Sequence, residues 1–271
     1  MKKNLYLTEL ESRSIYIIRE AYWQYRGALA LLWSMGKDST VLVHLARKAF
    51  LGTVPIPVIH IDTTFKFKQI YDFRRRYARK WGLDLLIARN DEALNKRISP
   101  SQGRFECCHA LKTEALKQIV EARGLKALLV AIRRDEHAIR AKERCFSLRD
   151  KEFKWDYGNQ SMELWSEHYK TRGNKESHFR VHPLLGWREI DIWKYIKQEK
   201  LPVVSLYFAR KGQRYRSIGC ECCCQPVASS ADSLEKIVSE LNVTAVAERS
   251  GRVQDKEKAY MMQKLRSLGY M

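Results

Sequence analysis

The stretch Ser34-Met35-Gly36-Lys37-Asp38-Ser39-Thr40 places small residues, hydroxyls, one lysine and one carboxylate within seven positions. It follows a short apolar run, Ala28 to Trp33, and precedes helical periodicity through Val41, Leu42, Leu45 and Phe50. A turn between a buried strand and a helix N-terminus offers backbone N–H groups and the positive end of a helix dipole to an anion, and a lysine adds a point charge. The chemistry this suits is phosphate binding. The Walker A pattern does not fit, because no Gly stands five residues before Gly36 and Asp38 occupies the Ser/Thr position. The plainer alternative is an ordinary strand-to-helix turn capped by Asp38 or Ser39.

Further candidates stand at the ends of other apolar runs. Asp62 closes Val58-Ile59-His60-Ile61, and Arg133-Arg134-Asp135-Glu136 closes Leu125 to Ile132, with Arg140 just beyond. Arginines hold phosphate oxygens in a planar fork, so Arg133, Arg134 and Arg140 suit an anion clamp. A helix cap at Asp62 and a surface ion-pair cluster at Arg133–Glu136 are the bland readings. The cysteines form a third group: Cys107-Cys108, then Cys220 followed by Cys222-Cys223-Cys224, with Cys145 alone. A pair plus the C-x-x-C of Cys220 and Cys223 supplies four thiolates, enough for a [4Fe–4S] cluster or a tetrahedral Zn²⁺ site. Buried small residues are the alternative, and lone Cys145 reads as core.

These residues must be positioned by a regular scaffold. Helical spacing covers Leu7 to Tyr25, Lys66 to Trp81, Ala110 to Arg123, Trp187 to Glu199, Ala231 to Leu241 and Gln254 to Leu268. Strand-like runs occupy Ala28–Trp33, Val58–Ile61, Leu83–Ala88 and Leu125–Ile132. Alternation of this kind predicts an α/β fold, a doubly wound, mostly parallel sheet with helices on both faces. In such folds ligands bind beyond the carboxyl ends of the strands, where the loop, Asp62 and Arg133 fall. The polar, aromatic section from about Cys145 to His182 reads as a long functional loop. Residues 1–206 are expected to form the nucleotide-binding domain, and 207–271 a C-terminal cysteine-containing, helical appendix packed on it.

Composition narrows the class. Fifty Lys and Arg against 31 Asp and Glu give a formal charge of +19 over 271 residues, which points to polyanionic partners. Basic residues cluster in Thr64–Lys80 and again, among aromatics, in Lys200–Arg216, a mixture suited to a nucleic-acid backbone or an acidic partner. No apolar run approaches a bilayer span and no signal-peptide core follows Met1, so a soluble cytoplasmic protein is expected.

The loop Ser34–Ser39 resembles the PP-loop of the ATP pyrophosphatase and adenylyl-sulfate (PAPS) reductase superfamily. Leu45–Phe50, His60-Ile61-Asp62-Thr63 and Arg133–Glu136 with Arg140–Arg144 resemble the small subunit of bacterial sulfate adenylyltransferase, from about Leu10 to Leu206. The resemblance implies an adenine nucleotide alpha hydrolase-like fold and an enzyme that cleaves ATP between its α and β phosphates, leaving an adenylylated product. It implies that Ser34, Gly36, Lys37, Ser39 and Thr40 hold the departing pyrophosphate, that Asp38 binds Mg²⁺ directly or through water, and that Asp62 lies beside the nucleoside. Arg133, Arg134, Asp135 and Arg140 would serve the incoming anion and the α-phosphate.

The cysteines resemble the cluster-binding pattern of adenylyl-sulfate reductases, which favours iron–sulfur over Zn²⁺ at Cys107, Cys108, Cys220 and Cys223. No cysteine follows Cys224, so the reductases' thiosulfonate-forming residue is missing and a reductase is excluded. Charge and cysteines together favour an ATP pyrophosphatase that activates a nucleic-acid backbone for sulfur incorporation. This resembles DNA phosphorothioation systems, with DNA and a sulfur donor such as a cysteine desulfurase as partners. The alternative is sulfate adenylyltransferase, making adenylyl sulfate from ATP and sulfate beside a GTPase subunit. A non-catalytic redox or DNA-binding module ranks behind both.

Overall fold

The computed structural model describes residues 4–164, 169–171, 178–253 and 261–270. Its centre is a six-stranded sheet of β1 (Leu29–Leu32), β2 (Val58–Ile61), β3 (Leu85–Ala88), β4 (Ala127–Leu129), β5 (Phe146–Arg149) and β6 (His178–Val181), in the order β3-β2-β1-β4-β6-β5. Neighbours run parallel except β5, which is antiparallel to β6. The mostly parallel α/β sheet is thus the architecture the alternating pattern predicts. Strands β1 and β2 are buried along their whole length, which explains why they read as unbroken apolar runs and not as alternating ones.

Helices α1 (Leu5–Gln24), α2 (Lys37–Ala49), α3 (Lys68–Lys80), α4 (Asp91–Asn95), α5 (Arg104–Cys108), α6 (Ala115–Ala122), α7 (Glu189–Gln198), α8 (Leu234–Val243) and α9 (Met261–Ser267) flank the sheet or follow it. α1 packs along α2 through Ile17, Ile18 and Ala21, each essentially without solvent contact. A two-stranded ribbon, β7 (Gln213–Arg214) with β8 (Val227–Ala228), precedes α8. Tyr207, Cys224, Ala231 and Ile237 join the same apolar core as the sheet. Among the described residues no helix is long and apolar enough to cross a membrane.

Two expectations need correction. The section from Cys145 to His182 is not wholly loop, because its ends form β5 and β6, which close the sheet. Ser147, Arg149, His178 and Arg180 are buried in these strands, and interior polar residues erase the apolar signature by which a strand is recognised. The helix expected over Ala110–Arg123 begins instead as a π-helical turn, His109–Glu114, wedged between α5 and α6. Of the helix expected over Gln254–Leu268, residues 254–260 lie outside the described residues.

Candidate active site

The sheet order changes direction at β1: the chain leaves β1 for β2 on one side and reaches β4 on the other. At that point the carboxyl ends of β1, β2 and β4 open into a cleft of about 1020 Å³, counting its mouth. Leu32, Ile61 and Val130 to Ile132 form its floor. A cleft at a topological switch point is where such sheets take ligands.

Ser34, Gly36, Lys37, Asp38 and Ser39 line one end of it. The turn is held by its own hydroxyls. Ser39 Oγ donates to the Gly36 carbonyl at 3.1 Å and accepts the Ser34 amide at 3.2 Å, while the two serine hydroxyls meet at 3.0 Å. Met35 bends the chain with φ of 64°, a left-handed conformation that costs a non-glycine residue of order 1 kcal/mol and persists only where packing enforces it. Gly36 leaves room for Tyr207, whose hydroxyl would lie 3.4 Å from any added Cβ. That hydroxyl accepts the Lys37 amide at 2.9 Å, so the first turn of α2 is capped by a tyrosine from far along the chain. Burial pushes the Tyr207 phenol up to about 12, which keeps it neutral.

Lys37 itself points into a buried network. Its ammonium pairs with Asp38 Oδ2 at 3.1 Å and with Glu248, and Arg133 bridges Asp38, Glu248 and Asp135. Asp135 also accepts the Glu189 amide at 2.7 Å, tying the network to α7. Burial works against the charges of Lys37 and Arg133, yet Asp38 and Glu248 hold both above their ordinary pKa values. Burial would likewise raise Glu248, but Arg133 and Lys37 bring it down to about 2.

The opposite end is different in kind. Lys66, Lys112 and Arg252 converge on the cleft, and among the described residues none of the three has a carboxylate partner. Lys112 is 6 % exposed and reaches only Tyr270 Oη at 3.4 Å and Cys108 Sγ at 3.7 Å. Arg252 Nη1 donates to Cys224 Sγ at 2.9 Å, and its Nε is buried without a partner. Burial, with Lys112 and Arg252 nearby, lowers the Lys66 ammonium. Burial would raise Cys220, but Lys112 and Lys66 lower it to about 6. Gly219 belongs to this wall: a Cβ there would run into the Arg252 guanidinium, whose Cζ would be 2.8 Å away. Between the two ends, Glu136 pairs with both Arg140 and Arg249.

The residues singled out from the sequence therefore divide. Ser34, Gly36, Lys37, Asp38, Ser39 and Arg140 line the cleft. Arg133 and Asp135 meet the loop from behind through Asp38. Thr40 faces inward, its hydroxyl accepting Trp33 Nε1–H at 3.2 Å. Asp62 turns toward α3, accepting the Thr64 amide and the Tyr71 hydroxyl at 2.9 Å and Arg74 at 3.0 Å, and these bonds overcome burial to hold its carboxyl below the ordinary value. Arg134 lies near Cys145 and Glu163, away from the cleft. In the basic stretch Lys200–Arg216, Tyr207 is buried, Arg214 pairs with Glu240 at 2.6 Å and Arg216 with Glu189 at 2.7 Å, so only part of it is surface.

Sequence reasoning missed Glu248, Arg249, Arg252 and Lys112; it met Lys66 and Tyr207 only as parts of basic stretches and Glu136 only as the end of the Arg133–Glu136 run. Glu248-Arg249-Ser250-Gly251-Arg252 carried a legible sign, three charges and a glycine in five residues. Its pairing with a loop more than two hundred residues earlier did not.

The metal expectation is overturned. Among the described residues no three His, Cys, Asp or Glu side chains assemble into a group able to hold a metal ion. Cys107, Cys108, Cys220 and Cys223 therefore form neither an iron–sulfur nor a zinc site, and all seven cysteines are free thiols. The sulfurs have other partners: Cys220 meets Thr63 Oγ1 at 3.2 Å, Cys224 accepts from Gly219 and Arg252, and Cys222 and Cys223 lie 3.8 Å apart. Asp38, the residue expected to bind Mg²⁺, lines the cleft and is engaged by Lys37 and Arg133.

Fold and cleft together define an adenine-nucleotide α/β enzyme, and residues 28–226 match the phosphoadenosine phosphosulfate reductase domain. The chain belongs to that family, within its branch of sulfate adenylyltransferase subunit 2 proteins. It is 39% identical to sulfate adenylyltransferase subunit 2 of Saccharophagus degradans, across 99% of this chain and 98% of the relative. It is equally identical to that of Psychromonas ingrahamii, across the whole of both chains. Among solved structures it is similar in fold to Candida auris phosphoadenylyl-sulfate reductase (TM-score 0.55, 17% identity, 84% of this chain and 98% of the other). It is similar also to Candida glabrata FMN adenylyltransferase bound to ATP (TM-score 0.59, 17% identity, 93% and 89%).

Proposed function

We propose that this protein transfers the adenylyl group of ATP to sulfate, releasing pyrophosphate. The observation that carries the reading is the cleft's polarity: an anion-binding turn at one end, and at the other cations that have no carboxylate partner among the described residues. The relatives support sulfate, the acceptor that stood second on sequence grounds, over a nucleic-acid backbone. In this reading the β and γ phosphates sit against Ser34, Gly36 and Ser39, where the amides of the turn stabilise charge that grows as pyrophosphate departs. Lys37 and Arg133, fixed by Glu248 and Asp38, keep the turn in shape and add a positive field. Arg140 and Arg249 face the α-phosphate from the middle of the cleft.

Sulfate is held by Lys112, Lys66 and Arg252, with one oxygen directed at the α-phosphorus. That oxygen forms a bond to phosphorus as the bond to the α,β-bridging oxygen breaks, and the electron pair leaves with pyrophosphate. Orientation of two anions that repel one another in water is the main service of such a site. The relatives carry the name of a second subunit, and a partner subunit is part of this reading.

Pyrophosphate release from ATP, with sulfate or plasmid DNA as acceptor, tests it. Sulfate should stimulate release and DNA should not, and Lys112→Ala should lower kcat/KM for sulfate by about 10²–10³, as loss of a preorganised oxyanion donor does. Release that follows DNA and ignores sulfate would overturn the proposal.

A further inference from the structure

A second concentration of buried charge lies outside the cleft, where β5, β6 and α9 meet. Arg149, Arg180 and Arg266 are each no more than 2% exposed, and the one carboxylate among them in the described residues, Glu143, is wholly buried. Glu143 Oε1 accepts Arg149 at 2.8 Å and also accepts Arg266. Among the described residues Arg180 has no carboxylate partner; it donates to His178 Nε2 at 3.2 Å and to the Gly269 carbonyl at 3.1 Å. Among those residues three guanidiniums therefore share a single negative charge.

The neighbouring titratable groups do not balance the excess. Burial, with Arg180 and Arg149 close by, lowers His178 to about 2, and burial lowers His182 to about 3, so both imidazoles are neutral. Burial and mutual repulsion bring Arg180 down to about 9, and burial brings Arg149 to about 10, still charged at neutral pH. Donors are left over as well: Arg149 Nε, Arg180 Nη1, and Arg266 Nε and Nη1 are buried with no partner. Buried charge without a counter-charge, and buried N–H groups without acceptors, are each strongly unfavourable.

A cavity adjoins the knot without being lined by any of the three arginines. This cavity, beside β5, is lined by Ser147, whose hydroxyl accepts Arg149 at 2.7 Å, and by Trp155, whose ring lies 5.0 Å from the Arg149 guanidinium and 5.5 Å from that of Arg266. Arg144, Lys151, Lys154 and Lys170 line its outer part, interspersed with Asp150, Glu152 and Asp156.

We propose that the Arg149–Arg180–Arg266 knot binds a small inorganic anion, of the size of chloride or a tetrahedral oxyanion, at a site separate from the cleft. The anion would accept the orphaned N–H groups and offset the excess charge. The knot also ties α9 to the sheet edge, through Arg266 to Glu143, Arg180 to Gly269 and the Trp155 amide to Ser267 at 3.2 Å. Occupancy should therefore stabilise the C-terminal segment that carries Tyr270 into the cleft wall.

The test is thermal unfolding of the full chain while chloride, or separately phosphate, replaces gluconate at constant ionic strength. It is run on the Lys112→Ala protein so that the cleft contributes little. A saturable rise in Tm is expected, roughly 5 °C at a hundredfold excess over Kd, and Arg180→Met should abolish it. A chloride response without a phosphate response assigns a halide site, and the reverse an oxyanion site. No saturable rise with either anion, or one that persists in Arg180→Met, overturns the proposal. Should Arg180→Met not fold, crystals of the unaltered chain soaked in bromide decide: an anomalous peak between the three guanidiniums supports the site, and its absence removes it.

Discussion

The two ends of the cleft hold comparable numbers of cations and treat them oppositely. At the loop end, Lys37 and Arg133 are locked between Asp38, Glu248 and Asp135. At the far end, Lys66, Lys112 and Arg252 face cysteine sulfurs, a phenol and each other. A paired cation gives shape and little net attraction, whereas an unpaired buried cation is unfavourable until an anion arrives. Residue type alone does not separate the two, for lysine and arginine serve at both ends. What separates them is whether a carboxylate is within reach.

The sharpest way to break the contrast is Glu248→Gln, which strips the paired end of its central anion. Breaking a buried pair by removing one partner costs about 3–5 kcal/mol, so urea unfolding should show a loss of that order. The pH dependence follows from the sign of the shift. Glu248 sits at about 2 in the fold against an ordinary value near 4.5. Its contribution is therefore complete above about pH 4.5 and is lost as pH falls toward 2, and Glu248→Gln should flatten that part of the acid-unfolding curve. An unaltered acid limb would mean the network is not what steadies the loop.

At the open end a smaller change suffices. Gly219→Ala pushes the Arg252 guanidinium aside, and loss of one charge-assisted hydrogen bond is worth about 1.5 kcal/mol. KM for sulfate should rise about tenfold with KM for ATP little changed, measured by pyrophosphate release at varied substrate. Equal effects on both substrates would erase the distinction between the ends. The smallest effect is expected from Thr40→Val, which removes the acceptor of Trp33 Nε1–H behind the loop. It should cost about 1 kcal/mol of stability and leave KM for ATP unchanged. A large rise in that KM would return Thr40 to the phosphate side.

The sheet was legible because β1 and β2 are buried on both faces and read as unbroken apolar runs, and the loop because strand, small residues and helix follow in order. β5 and β6 were hidden by the two arginines, the serine and the histidine they bury. Asp62 and Thr40 show a different limit: position along the chain locates a residue at the edge of a cleft but not the direction of its side chain. The cysteine spacing suggested a shared ion, yet the sulfurs individually meet Thr63, Lys112 and Arg252. Glu248 was beyond reach, since its role exists only once the chain has returned to its own beginning.

The π-helical turn at His109–Glu114 has a consequence for chain length. A π turn carries one residue more than an α-helical turn. Deleting any one residue between Cys108 and Ala115 would allow a continuous α-helix, which is locally the better structure. Because an α turn covers the same rotation with one residue fewer, the flanking residues would keep nearly the same orientation relative to α6. The five-residue helix bearing Cys107 and Cys108 would stay on its present face, and only the widened backbone of the turn would be lost. A change of length by one residue is thus open to compensation here, where in an ordinary α-helix it would turn everything beyond it by about 100°.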